Sequence, residues 1–87
     1  MKPDHELLEA AAKAAGMEPS EDGVIYAGFG SREWNPITSV ADRYELCKKL
    51  GLTLDFEHNA VIKGSDYAAW ADEDEGRVIV EFAGRVR

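Results

Sequence analysis

Residues 39–57 read SVADRYELCKKLGLTLDFE, and within this one stretch the spacing of apolar residues changes from that of a helix to that of a strand. Val40, Tyr44, Cys47 and Leu50 recur at helical intervals, with Ala41 beside them, and so share one face. Ser39 suits the N-cap, Asp42 stands where the acid of a capping box reaches back, and Gly51 suits the stop. Glu45 and Lys49 form an i,i+4 pair in the favourable order. From Leu52 the period is two: Leu52, Leu54 and Phe56 alternate with Thr53, Asp55 and Glu57, which describes a strand with one apolar and one polar side. A helix followed directly by a half-buried strand places the chain in the α+β class.

The pattern extends in both directions. Downstream, His58-Asn59 reads as a hairpin turn into a strand Ala60–Lys63, and residues 64–66 turn again into Tyr67–Ala71. The acidic run Asp72–Glu75 with Gly76 reads as a hairpin tip, and Arg77–Phe82 as a last strand with Val78, Val80 and Phe82 on one side. Trp70 is then a core residue lying over those three as a cross-strand neighbour. Upstream, HELLEAAAKAAG (His5–Gly16) is an amphipathic helix. Pro3 suits its first position, Asp4 and Glu6 its positive end, and Gly16 its stop. Residues 17–23 are a polar connection into a short strand Val24–Ala27, ended by Gly28 and Gly30. The expected architecture is one domain, 1–87, with two helices packed on a small, mainly antiparallel sheet in the order α-β-α-β-β-β-β.

Between the first strand and the second helix lies an aromatic loop. Tyr26, Phe29, Arg32 and Trp34 are its candidate partner-binding residues, because loops carry binding groups and an exposed Trp is a strong anchor. Asn35-Pro36 behind Trp34 forms a type I turn signature through Thr38. That rigid turn suits a Trp presented to a partner and suits equally a Trp plugging a thin core. The plug is the preferred reading, since few other residues of so small a domain could replace a buried Trp.

Seventeen acids against ten bases give a net charge of −7, the opposite balance from a nucleic-acid binder. No apolar run approaches the ~20 residues of a membrane helix, and the acidic, amphipathic first residues are not a secretory signal. The single Cys47 cannot form an internal disulfide, which fits a reducing cytoplasm. Gly28-Phe29-Gly30 begins like a dinucleotide fingerprint, but position 33 is Glu and no helix opens there. The acidic run 72–76 fails the calcium-loop pattern, with Gly at its fifth position and Ala83 at its twelfth. His5 and His58 have no His or Cys at metal-ligand spacing, Cys47 lies on an apolar stripe, and the serines lack a nucleophile elbow. These features point away from an enzyme and from any cofactor or metal.

His5–Gly16, followed at a distance by WNPITSVADRYELCKKLGLTL (Trp34–Leu54), resembles small phage and prophage proteins of the phage ABA sandwich type. The matching residues are the alanine-rich first helix, Trp34-Asn35-Pro36, Thr38 and Lys49-Leu50-Gly51-Leu52, about half of the chain. Such proteins place acids and Gly after the threonine, where this chain has Ser39-Val40-Ala41-Asp42, and they end in a third helix, where this chain has EFAGRVR. The third helix is therefore expected to be absent. The resemblance implies a phage accessory protein acting in the host cytoplasm, and no catalytic residues. The leading expectation is a non-enzymatic module, a monomer or weak homodimer, that binds a host or phage protein. The alternatives are a small-ligand or nucleotide-binding module using the aromatic loop 26–34, or an acidic nucleic-acid mimic that inhibits a host system.

Overall fold

In a computed structural model, residues 4–18, 24–27 and 32–86 are described. They form α1 (Asp4–Ala14), β1 (Tyr26–Ala27), β2 (Arg32–Glu33), α2 (Val40–Leu50), β3 (Thr53–Asp55), β4 (Ala60–Lys63), β5 (Asp66–Ala69) and α3 (Glu75–Arg85). The class is α+β, as the change of period predicts.

Helices α1 and α2 end by the same device. Gly16 and Gly51 adopt the left-handed conformation, with φ of 78° and 67°. The next amide folds back in each case: Met17 N–H donates to the Ala12 carbonyl (2.7 Å) and Leu52 N–H to that of Cys47 (2.9 Å). Ser39 is the N-cap of α2, its hydroxyl accepting from Asp42 N–H at 3.3 Å. The Ser39 N–H, however, donates to the Asn35 carbonyl (2.8 Å), and the Asp42 carboxylate takes the Asn35 N–H at 2.9 Å. The Ser39 side chain thus caps α2, and the expected capping-box acid turns instead to the Asn-Pro turn.

Strands β3, β4 and β5 form an antiparallel meander with Leu54, Val61 and Ala68 in register, and Thr53, Ile62 and Tyr67 in register on the opposite face. Val61 is buried and Tyr67 exposed, so the first set faces the core. The β3–β4 turn is wider than His58-Asn59 alone and spans residues 56–59. Within it Asp55 Oδ1 accepts the N–H groups of Glu57 and His58, both at 3.1 Å. Phe56, expected on the core side, leaves the strand in this turn and is 55% exposed.

The segment expected as a hairpin tip and last strand is instead α3, so a third helix is present. The alternation of Val78, Val80 and Phe82 is incidental. The buried residues are Gly76, Ile79, Val80, Phe82 and Ala83, followed by Val86, and this spacing is helical. The two glycines hide the pattern because glycine lowers helix propensity, yet here each admits a neighbour. A Cβ on Gly84 would lie 2.7 Å from the Ala10 Cβ of α1, and one on Gly76 would overlap the Ile37 carbonyl oxygen and the Arg43 guanidinium. Trp70 is a core residue as expected, but it shares the core with one face of this helix instead of pairing across strands.

Helix α3 is the hub, packing against α1, α2 and β5. Asp4 and Arg77, near the starts of α1 and α3, form an ion pair at 2.9 Å, and Ala10 and Gly84 meet further along, so the two helices run in the same direction. The start of α2 is tied to the start of α3 by Arg43. Its Nε donates to the Pro36 carbonyl (3.0 Å), one Nη to that of Ile37 (2.9 Å), and the other pairs with Glu75 at 3.1 Å. Arg43 and Asp42 are buried, whereas Val40 and Tyr44, expected on the buried face, are 50% and 45% exposed. Two charged residues replace them because both satisfy backbone groups of the Asn-Pro turn.

Candidate functional site

The four loop residues read from the sequence do not form one exposed group. Strands β1 and β2 pair with Tyr26 opposite Glu33, and Trp34 N–H donates to the Ile25 carbonyl at 2.6 Å. This register turns Ile25 and Trp34 inward and Tyr26 outward. Trp34 is 3% exposed and part of the core; Tyr26 is 42% exposed. Trp34 is therefore a plug and not a presented anchor. Phe29 lies outside the described residues, and only the backbone of Arg32 is described.

A different aromatic group comes to the surface at the edge of the meander. Phe56 stands edge-on to Tyr44 of α2, with ring centroids 6.4 Å apart and an interplanar angle of 68°. It also stands edge-on to Trp70, at 6.3 Å and 69°. Such geometry aligns ring edges with ring faces and favours the pair beyond simple area burial. Trp70 is buried and anchors the group to the core, while Tyr44 and Phe56 remain about half exposed. Beside them runs an open, mainly apolar groove of about 350 Å³, with Cys47, Leu52 and Leu54 on its floor and Lys48 at its side.

The chemistry of this edge is that of a contact surface. Burial pushes the Cys47 thiol up to about 11, so the thiol carries almost no thiolate near neutrality and is a poor nucleophile. Next to Phe56, Asp55, Glu57 and His58 bring ligand-type atoms within 4.8 Å of one another. The turn itself accounts for these contacts: the His58 ring lies 2.8 Å from Asp55 Oδ2, and this hydrogen bond holds the Asp55 carboxyl below its ordinary value. The exposed turn next to Phe56 carries Asp55 and Glu57, whereas the charged residue lining the groove itself is Lys48.

Sequence reasoning placed Tyr44 and Phe56 in the core because both fit an apolar stripe. The available signal was local: Asp55 ahead of Glu57-His58-Asn59 is an Asx-turn arrangement, which ends a strand before Phe56 can point inward.

Comparisons with known protein families, with curated proteins and with solved structures find no match. The likeness to the phage ABA sandwich type rests on its motif residues alone. Among the described residues no helix is long and apolar enough to cross a membrane.

Proposed function

We propose that this chain is a non-catalytic interaction module, of the kind that phages and prophages encode, acting on a host or phage protein in the host cytoplasm. One observation carries the reading. Two half-exposed aromatic rings, held in a T-shaped contact and backed by a buried Trp, border an apolar groove on a very small domain. Half-exposed aromatics on a rigid base lose little side-chain entropy on binding and are common energetic anchors of interfaces.

The apolar groove, the acidic turn next to Phe56 and the net charge of −7 favour a partner that offers an aliphatic or aromatic side chain with Lys or Arg nearby. Acidic nucleic-acid mimicry would use the same negative surface without the groove. The two readings separate by their dependence on Phe56.

The test is affinity capture from host cells with the wild-type chain and with Phe56→Asp and Tyr26→Ala variants, each shown to be folded by circular dichroism. A partner retained by wild type and by Tyr26→Ala, lost with Phe56→Asp, and re-formed from purified components supports the proposal. A partner that binds Phe56→Asp as tightly as wild type and dissociates only with salt would replace it with mimicry.

A further inference from the structure

The largest cavity lies elsewhere. It opens to about 710 Å³ where α1, α2 and α3 end, beside the end of β4. Lys13 of α1, Lys49 of α2 and Lys63 of β4 line it, above an apolar floor that includes Ala14, Leu50 and Val86. Three of the chain's five lysines thus line one opening from three separate elements, in a protein of net charge −7. No described acidic residue lines the cavity, and no described carboxylate lies within 4.0 Å of the three ammonium groups.

A structural role competes with a ligand. Each helix C-terminus carries roughly −0.5 of an elementary charge, and lysines in a last turn offset it. Even at full strength, three such ends supply about −1.5 against three ammonium charges, leaving an excess of about +1.5. Lys63 sits on a strand and serves no helix of its own. The three lysines line a cavity whose other lining residues are Ala10, Ala14, Leu50, Gly84 and Val86, so no aromatic ring among them offers a nucleobase a stacking surface.

We propose that this cavity binds a small aliphatic phosphate: the phosphate held among Lys13, Lys49 and Lys63, the hydrocarbon body laid on Leu50, Val86 and Ala14. The site is independent of the aromatic edge. Such chemistry occurs in soluble phosphorylated metabolites and in the headgroup region of phosphatidic acid.

The experiment is an amide NMR titration of the intact chain with hexyl phosphate and with inorganic phosphate. Saturable shifts confined to residues near positions 13–14, 49–50, 63 and 84–86 are expected, with hexyl phosphate binding at least about threefold more tightly because its chain covers apolar surface. A Lys13→Gln/Lys63→Gln double variant should weaken hexyl phosphate about tenfold or more. Lys48→Gln, on the same helix as Lys49 but outside the cavity, should stay within about twofold. Sedimentation with phosphatidic acid vesicles assigns the source: co-sedimentation lost in the double variant indicates a lipid, and its absence alongside hexyl phosphate binding indicates a soluble ligand. Absence of saturable shifts, or equal weakening by Lys48→Gln, would overturn the proposal. So would a double variant that melts at lower temperature yet titrates like wild type, because the lysines would then serve only the helix ends.

Discussion

Replacing Trp34 with Ala removes one of the two largest side chains of the core, the other being Trp70. Burying a Trp withdraws ~150–250 Å² from water. At about 25 cal/mol per Å² that area contributes roughly 4–6 kcal/mol. Residual compaction of the unfolded chain lowers the figure by ~10–40%, to about 2–5 kcal/mol, which overlaps the range of about 3–5 kcal/mol that large aromatic truncations in cores show. A chain of 87 residues has roughly 4–13 kcal/mol in total. Trp34→Ala should therefore take away about a sixth of the stability at the least, and at the lower end of the total it can leave the domain largely unfolded at 25 °C. Urea denaturation followed by far-UV circular dichroism measures it, with the slope of the transition checking that the same surface is exposed. Two further variants keep the result interpretable. Trp34→Phe should fall between wild type and Trp34→Ala, and Tyr26→Ala, on the outward side of the same hairpin, should shift stability by less than about 1 kcal/mol. A Trp34→Ala midpoint equal to that of wild type would refute the core assignment.

Three other perturbations test the packing. Gly84→Ala should destabilise by about 1–3 kcal/mol, since its methyl group meets the Ala10 Cβ, and Ala10→Gly in the same chain should recover part of that loss in a double-mutant cycle read by thermal melts. Arg43→Ala should cost about 3 kcal/mol by stranding the Pro36 and Ile37 carbonyls, and Arg43→Lys should restore only a fraction in urea melts because one ammonium cannot span three acceptors. Cys47 should react with iodoacetamide at neutral pH far more slowly than a free thiol, and denaturant should bring it to the free-thiol rate; rapid labelling of the folded chain, followed by mass spectrometry, would contradict its burial.

What the sequence disclosed depended on the range of each interaction. Helices α1 and α2, their glycine stops and the Ser39 cap are built by contacts within a few residues, and all were legible. So was β4, framed by turn signals at both ends. Helix α3 was not. Its β-branched residues alternate by chance, and the glycines that mark it as close-packed look like helix breakers until Ala10 and Arg43 are placed beside them. The burial of Arg43 and Asp42 was hidden for a related reason. A charged residue reads as surface unless its partners are visible, and those of Arg43 lie on both the Asn-Pro turn and α3. The lysine-lined cavity is also a product of long-range assembly. Lys13, Lys49 and Lys63 share no motif; three separate elements must end at one place before they become a group.

The pairing of α1 with α3 also governs when the domain can form. Helix α1 finds its main partner in α3, with every other described element lying between them in the sequence. Until Gly84 has emerged, Ala11 and Ala12 lack the helix that covers them, and α1 is too short to persist alone in water. Closing so long a loop raises the contact order, so the α1–α3 pairing should form only after α3 has been made. A nascent chain halted anywhere before α3 should be open to proteolysis along its whole length, and resistance should appear in a single step once that helix is released.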